Sequence, residues 1–282
     1  MKPLRLLLIL LTLCTLTAAA QTPPDTTWKH TLVAGLAATQ VAYSDWAQGG
    51  ENAMSWTINL DGKSEMRAPV WNWVNNYKFA YGQTKLDNKT VRKTDDKIDL
   101  ESVLSYRTGW LVNPYAAATL KTQFATGYTY ANDAADTRTA VSDFFDPAFL
   151  VQSIGGEYKP AEWIKTRFGA ALREVITSTY TQYADDKTTP AIEKTKTEGG
   201  LESVTDIQAK LDENLLFTSH IELFDPFNHL DRVVVRSDNL LTAKVSKYIV
   251  VSLNIVLMND VQISPRTQVK QTLALGINYS IF

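Results

Sequence analysis

The chain has 282 residues, a formal net charge of −2, 45% hydrophobic residues and a single cysteine, Cys14. The near-neutral balance does not point to nucleic acid as a partner, and Cys14 falls in an apolar leader, so the rest of the chain has no thiol for a disulfide or a metal. After that leader no apolar run reaches the ~18–20 residues that a helix needs to cross a bilayer, which excludes a helical membrane protein.

Residues 1–20 read as a secretory signal peptide: Lys2 and Arg5 lie at the front, an apolar run follows, and Ala18-Ala19-Ala20-Gln21 offers a small-residue cleavage site. Leu13 is too bulky for a lipoprotein processing site at Cys14. Losing Lys2 and Arg5 with the leader takes the formal charge from −2 to −4. Residues 21–28 are expected to be a short periplasmic segment and 29–282 a barrel domain.

The first expected strand, Lys29 to Ala42, alternates weakly, and the stretch Ser44 to Asn52 breaks it with Gly49-Gly50. The second sets Met54, Trp56, Ile58 and Leu60 against Ser55, Thr57, Asn59 and Asp61. After a turn at Arg67–Val70, the third puts Trp71, Trp73, Tyr77, Phe79 and Tyr81 on one face and Asn72, Val74, Asn76, Lys78 and Ala80 on the other. Such an aromatic row is an aggregation hazard in water and ordinary against lipid. A polar loop is expected over Lys85–Lys97, then a fourth strand from Ile98 to Arg107, then a turn at Gly109 and Asn113-Pro114.

The fifth strand is read through Leu120, Phe124 and Tyr128, and residues 129–148 as a loop. The sixth runs from about Leu150 to Lys159 and the seventh carries Ile164, Phe168, Ala170 and Leu172 outward. A loop is expected from Tyr183 to Gly200, followed by an eighth strand over Leu201–Lys210 and a ninth from Leu215 to Leu223. The tenth spans Val233 to Val245 and the eleventh Ile249 to Leu257. The last strand, within Arg266–Phe282, sets Leu273, Leu275, Ile277, Tyr279 and Ile281 against Thr272, Ala274, Gly276, Asn278 and Ser280. Period two over about ten residues is the pattern of a membrane strand. Long connections follow the odd strands and short turns the even ones. The sequence thus predicts an all-β fold: a transmembrane antiparallel up-and-down β-barrel of about twelve strands, with both termini periplasmic.

Several segments resemble a known family: Gln40, Trp46 and Gly49–Asn52, Tyr81-Gly82, Arg92–Asp96, Lys121–Tyr128 and Asp146–Leu150 are similar to the marker segments of Bacteroidetes-type outer-membrane proteins known as a domain of unknown function. The resemblance covers nearly the whole chain after the leader. It implies an outer-membrane β-barrel and no established activity or functional residues. One departure is that Tyr279 is out of phase with Phe282.

The inward-facing charges are the main candidate site. The expected lumen residues are Lys78, Asp99, Glu101, Lys121, Lys165, Arg167, Arg173, Glu202, Asp206, Lys210, Glu222, Arg236 and Asp238, joined by Lys63, Arg107, Lys244 and Asp61. They suit either a charged conduit for small hydrophilic solutes or a salt-bridge lattice that fills the barrel, and the mixing of signs weighs toward the filled interior. The loop acids Asp133, Asp136, Asp185 and Asp186 lack calcium-loop spacing. Asp225, His229 and Asp231, with His220 inside and His30 near the periplasmic end, lack a serine motif that would complete a hydrolytic site. Trp71 and Trp73 fit an interfacial belt better than a sugar platform.

The expectation is therefore a non-enzymatic outer-membrane barrel without metal or cofactor, serving passive solute passage. The alternative is a non-conducting barrel that acts through its loops, and an outer-membrane hydrolase is the least favoured. Its expected partners are outer-membrane lipid and the barrel-assembly machinery.

Overall fold

The computed structural model describes residues 27–42, 52–86, 89–131, 137–228, 230, 232–261 and 264–281. The expected signal peptide with Cys14, the expected reversal at Gly49-Gly50, Asn132, Asp133, Asp136, His229, Asp231 and Phe282 lie outside these residues. The strands are β1 (Trp28–Val41), β2 (Ala53–Arg67), β3 (Trp71–Leu86), β4 (Arg92–Tyr106), β5 (Val112–Thr122), β6 (Gly127–Tyr130), β7 (Arg138–Ser142), β8 (Ala148–Ala161), β9 (Ile164–Ile176), β10 (Thr195–Asp212), β11 (Leu215–Pro226), β12 (Val234–Lys244), β13 (Ile249–Asn259) and β14 (Gln268–Ser280).

All but β6 and β7 form a closed barrel of twelve antiparallel strands, in which each strand pairs with the next and β14 returns to β1. The hairpin of β6 and β7 is set into the connection between β5 and β8, which pair directly. Closure removes the free edges that an open sheet would expose, the condition for strands to sit in hydrocarbon. Among the described residues no helix is long and apolar enough to cross a membrane.

The period-two pattern sets which way side chains point. On β3, Trp71, Trp73 and Tyr77 are exposed outside while Val74 and Ala80 are buried inside. On β14, Leu273, Leu275, Ile277 and Tyr279 form an exposed outer row that Ile281 continues. Two aromatic girdles bound this apolar band. Near one rim Trp28 lies 5.4 Å from Trp73 and Trp71 lies 4.7 Å from Tyr106, and toward the other Trp56 lies 5.9 Å from Tyr81. The Trp73 indole N–H donates to Ser102 Oγ at 2.9 Å, which satisfies its polar edge at the interface.

Short turns at 68–70, 107–111, 162–163, 213–214 and 245–248 gather at one end of the barrel. The connections at 42–52, 87–91, 123–147, 177–194, 227–233 and 260–267 gather at the other.

Several expected boundaries are corrected. The expected loop over Lys85–Lys97 shrinks to 87–91, because β4 begins at Arg92 and keeps its ladder with β3. The charges of Asp95 and Lys97 mark an inward face there, not a loop. Asn113 and Pro114 lie in β5; Pro114 sits where the β4 ladder has already ended at Tyr115, so its missing N–H breaks no bond on that side. The turn is instead closed at Gly109, whose φ of +78° suits glycine.

The fifth barrel strand ends at Thr122, and Tyr128 belongs to β6. The Asp96 carboxylate draws the chain aside by accepting the N–H groups of Phe124 at 2.7 Å and Ala125 at 2.9 Å. The loop expected over 129–148 contains part of the β6–β7 hairpin, and β10 starts already at Thr195.

If this register is right, arginine at Leu253 or Leu275 costs ~2–4 kcal/mol of folding stability in bilayers, and arginine at the inward neighbours Ser252 or Ala274 costs clearly less. Reversible denaturant unfolding in lipid measures both; equal penalties at adjacent positions contradict the register.

Candidate functional site: the barrel lumen

The lumen is divided by ion pairs that β4 throws across it. Lys97 on β4 meets Asp238 on β12 at 3.1 Å, and these two strands stand opposite one another in the ring. Strands ~4.8 Å apart and tilted by ~40° would place opposite walls of a circular twelve-strand barrel about 24 Å apart. An extended lysine touching an aspartate spans only ~13 Å on ordinary bond lengths. The cross-section is therefore oval at this level, with β4 and β12 drawn together. Asp95 on the same strand meets Lys270 of β14 at 2.9 Å, and Glu101 pairs with Arg167 of β9.

On the β8–β11 side the lumen is filled. Every inward residue of β9 from Arg167 to Val175 is buried, alternating with exposed or half-buried outer ones. Arg167, 1% exposed, binds Glu101, which also accepts an N–H from Asn76 at 2.8 Å. The space that Arg167 occupies is opened by two glycines. Gly155 and Gly169 pair across β8 and β9, and a Cβ on either would strike the facing backbone at Phe168 or Ile154. Tyr115 pairs with Gly155 from the other side, and the Arg167 guanidinium lies 5.9 Å from its ring.

Toward the centre, Lys121 pairs with Glu222, and His220 has Nδ1 2.6 Å from Asp206 and Nε2 2.9 Å from Glu222. Both imidazole nitrogens face carboxylates, so neither is left to act as a general base. Higher up, Arg173 meets Asp260 at 2.7 Å and Glu198 at 3.9 Å, between Phe149 and Phe224.

The other side is open. Neither β1 nor β14 contains a buried residue on either face, although both strands belong to the closed ring. One continuous cavity of about 1140 Å³ runs along this side and, at the short-turn end, past Glu157, Lys165 and Asp206 of the other, reaching Arg67 and Trp163 at the short-turn end and Ser142 and Tyr183 at the long-loop end. Its open wall is lined by neutral polar groups, among them Thr57, Asn59, Ser252, Asn254, Thr272 and Asn278, and by the charges of Asp61, Lys63, Glu65 and Lys270. The charged ledge of Lys97, Asp238 and Lys78 forms the facing side.

The thirteen residues expected in the lumen therefore separate. Lys78, Asp99, Lys121, Lys165, Asp206, Arg236 and Asp238 border the open cavity. Glu101 and Glu222 border only a pocket of about 30 Å³. Arg167, Arg173 and Glu202 are buried in the filled half, where they face side chains in place of water. Lys210 is exposed at the short-turn rim, beside the turn into β11. Sequence reasoning passed over the neutral lining: Asn and Thr carry no charge pattern, and only their period-two placement opposite apolar residues could have marked them.

The segments behind the family resemblance meet at the long-loop end of this lumen, where Asp96, Gln123 and Pro147 line the cavity. Lys93 binds Asp96 at 2.7 Å and the carbonyl of Ala125 at 2.7 Å, and the Gln123 amide donates to the carbonyls of Asp143 at 3.0 Å and Asp146 at 3.2 Å. The buried Asp146 carboxylate accepts the N–H groups of Ser178 at 3.1 Å, Thr179 at 2.6 Å and Tyr180 at 3.2 Å, tying the two longest loops together. The loop acids Asp185 and Asp186 likewise accept main-chain N–H groups, from Glu193 at 3.0 Å and Thr188 at 2.9 Å. The Thr188 N–H and hydroxyl hold the Asp186 carboxyl below its ordinary range.

These features define a transmembrane β-barrel with a half-filled, half-open lumen. Residues 38–128 match the model of a family described as a protein of unknown function (DUF3078). No curated protein sequence matches the chain. Among solved structures it is similar to an outer membrane channel from Pseudomonas putida F1, with 9% identity over 93% of this chain and 97% of that one and a TM-score of 0.40. It is also similar to the translocator domain of the autotransporter NalP from Neisseria meningitidis, with 9% identity, 89% and 87% coverage and a TM-score of 0.38. Both likenesses are distant; the closure and the lumen stand on the chain's own geometry.

Removing one partner of a buried pair leaves the other charge uncompensated. Arg167→Ala is accordingly expected to destabilise the barrel by ~3–5 kcal/mol, against about 1 kcal/mol or less for Lys165→Ala, whose partners lie at 3.7 and 3.8 Å in a wetter setting. Denaturant unfolding of both variants checks the contrast. For the loops, Asp146→Ala is expected to make residues 177–194 markedly more sensitive to protease while the barrel keeps its folded gel mobility; unchanged cleavage would contradict the role given to Asp146.

Proposed function

We propose that this chain is an outer-membrane protein, delivered by its signal peptide and inserted by the barrel-assembly machinery with both termini in the periplasm, and that it lets small hydrophilic solutes pass passively along the open lobe of its lumen. The further proposal is that it is a Bacteroidetes-type member of the family it resembles. One observation carries the functional reading: a single cavity of about 1140 Å³ joins residues at both rims and is lined by polar groups. Neutral amides and hydroxyls can exchange hydrogen bonds with a solute without holding it, whereas the charged ledge opposite sets the local field.

A second reading has its own support. The hydrogen-bonded platform of Asp96, Asp146 and the β6–β7 hairpin holds exposed Phe144, Phe145 and Ile192 at the long-loop end, a surface on which a partner could be received.

Single-channel recording in a planar bilayer, with boiled and unboiled samples compared on a gel to confirm folding, separates the two. Stable conductance steps that shrink in Ser252→Trp support passage through the open lobe. Silence from a folded barrel rules that passage out and favours the loop surface.

A further inference from the structure

The barrel is closed unevenly. β1 pairs with β2 along its whole length, from Trp28↔Met66 to Val41↔Ala53, and β14 pairs with β13 from Gln268 to Ile277. The seam between β1 and β14 is much shorter. It holds only from Val33↔Ser280 to Ala37↔Gly276. Among the described residues, Ala38–Val41 and Thr272–Leu275, which the register would set opposite one another, are not paired and each have one strand neighbour, leaving a gap in the ladder on the long-loop side. At ~3.3 Å per residue the gap is about 13 Å long on the β1 side.

The gap falls where the apolar band meets the upper girdle. On its β14 side the outer row carries Leu273, 70% exposed, and Leu275, and these pair with Leu253 and Val251 of β13 in the same band. On its β1 side Ala38 pairs with Trp56 of the girdle. Main-chain polar groups left open to hydrocarbon cost several kcal/mol each unless water reaches them, and irregular wall at membrane depth is tolerated where it lines a water-filled cavity. The cavity behind the seam supplies that condition, because its lining includes Ala37, Lys270, Thr272, Ala274 and Gly276. The rim is therefore apolar outside, polar inside and built of small residues, with the Lys270–Asp95 pair behind it.

We propose that the lumen opens sideways to the bilayer between β1 and β14, and that this opening admits the hydrocarbon chain of a single-chain amphiphile whose polar head stays in the lumen. A purely water-to-water pore needs no such opening. The inference stands apart from solute passage through the two rims, since a lateral opening can exist whether or not the lumen conducts.

The test uses the folded chain without its leader in phosphatidylcholine vesicles, with a fluorophore on a single introduced cysteine and a lysophosphatidylcholine brominated along its chain as quencher. Ala274→Cys lies at the opening, and Thr242→Cys lies in the same ladder row two strands into the closed wall. Quenching severalfold stronger at Ala274→Cys than at Thr242→Cys, and lost when Ala38→Trp is added, is the expected result. Equal quenching at the two positions, in protein that aqueous iodide shows to be open to water at both, would overturn the lateral opening. Strong quenching that survives Ala38→Trp would also overturn it, since the chain would then be arriving by another route.

Discussion

The interaction on which the interior depends is the set of ion pairs made by β4. Its inward row of Asp95, Lys97 and Glu101 reaches β14, β12 and β9 in turn, three walls separated around the ring. A lysine and an aspartate cannot bridge a round twelve-strand barrel, so forming the Lys97–Asp238 pair requires the wall to flatten. Flattening brings β8–β11 close enough to β4 and β5 for Arg167, Tyr115 and Lys121 to fill one side. The same deformation leaves β12–β14 and β1–β3 around an open lobe, which continues past Lys165 and Asp206 at the short-turn end of the filled side. Filled and open halves are thus two results of one constraint.

The filled half depends on details that are invisible at the level of charge. Arg167 is accommodated where Gly155 and Gly169 let β8 and β9 approach backbone to backbone, and its charge is met by Glu101, which Asn76 also holds. The open half depends on the lack of such bulk. Ala274, Gly276, Gly35 and Ala37 are all small, and the short seam lies among them. Loops at the far end are held by two carboxylates, Asp96 and Asp146, that accept backbone N–H groups. Those carboxylates belong to the segments by which the family resemblance was seen, so the resemblance reports loop architecture more than lumen chemistry.

Much of the fold was legible in the sequence because a membrane strand must show one face to lipid. The row from Trp71 to Tyr81 and the row from Leu273 to Tyr279 point outward as their alternation required. Legibility failed above the apolar band, where both faces are polar: Arg92–Lys97 and Thr195–Gly200 read as loops yet continue β4 and β10. It failed again where a turn is set by a distant carboxylate, as at Phe124. For the site, the alternation offered thirteen candidate inward charges, seven of which border the open cavity. Which of them meet, and therefore which are sealed and which are wet, depends on the oval cross-section, and no local pattern encodes that.

The most direct measurement is the reactivity of single introduced cysteines toward a membrane-impermeant thiol reagent, scanned along the inward faces of β14 and β9 in the folded barrel. The account predicts fast labelling at Thr272 and Ala274 and protection at Ala171 and Val175. Equal labelling of the two faces, or protection on β14, would contradict a lumen that is open on one side and filled on the other.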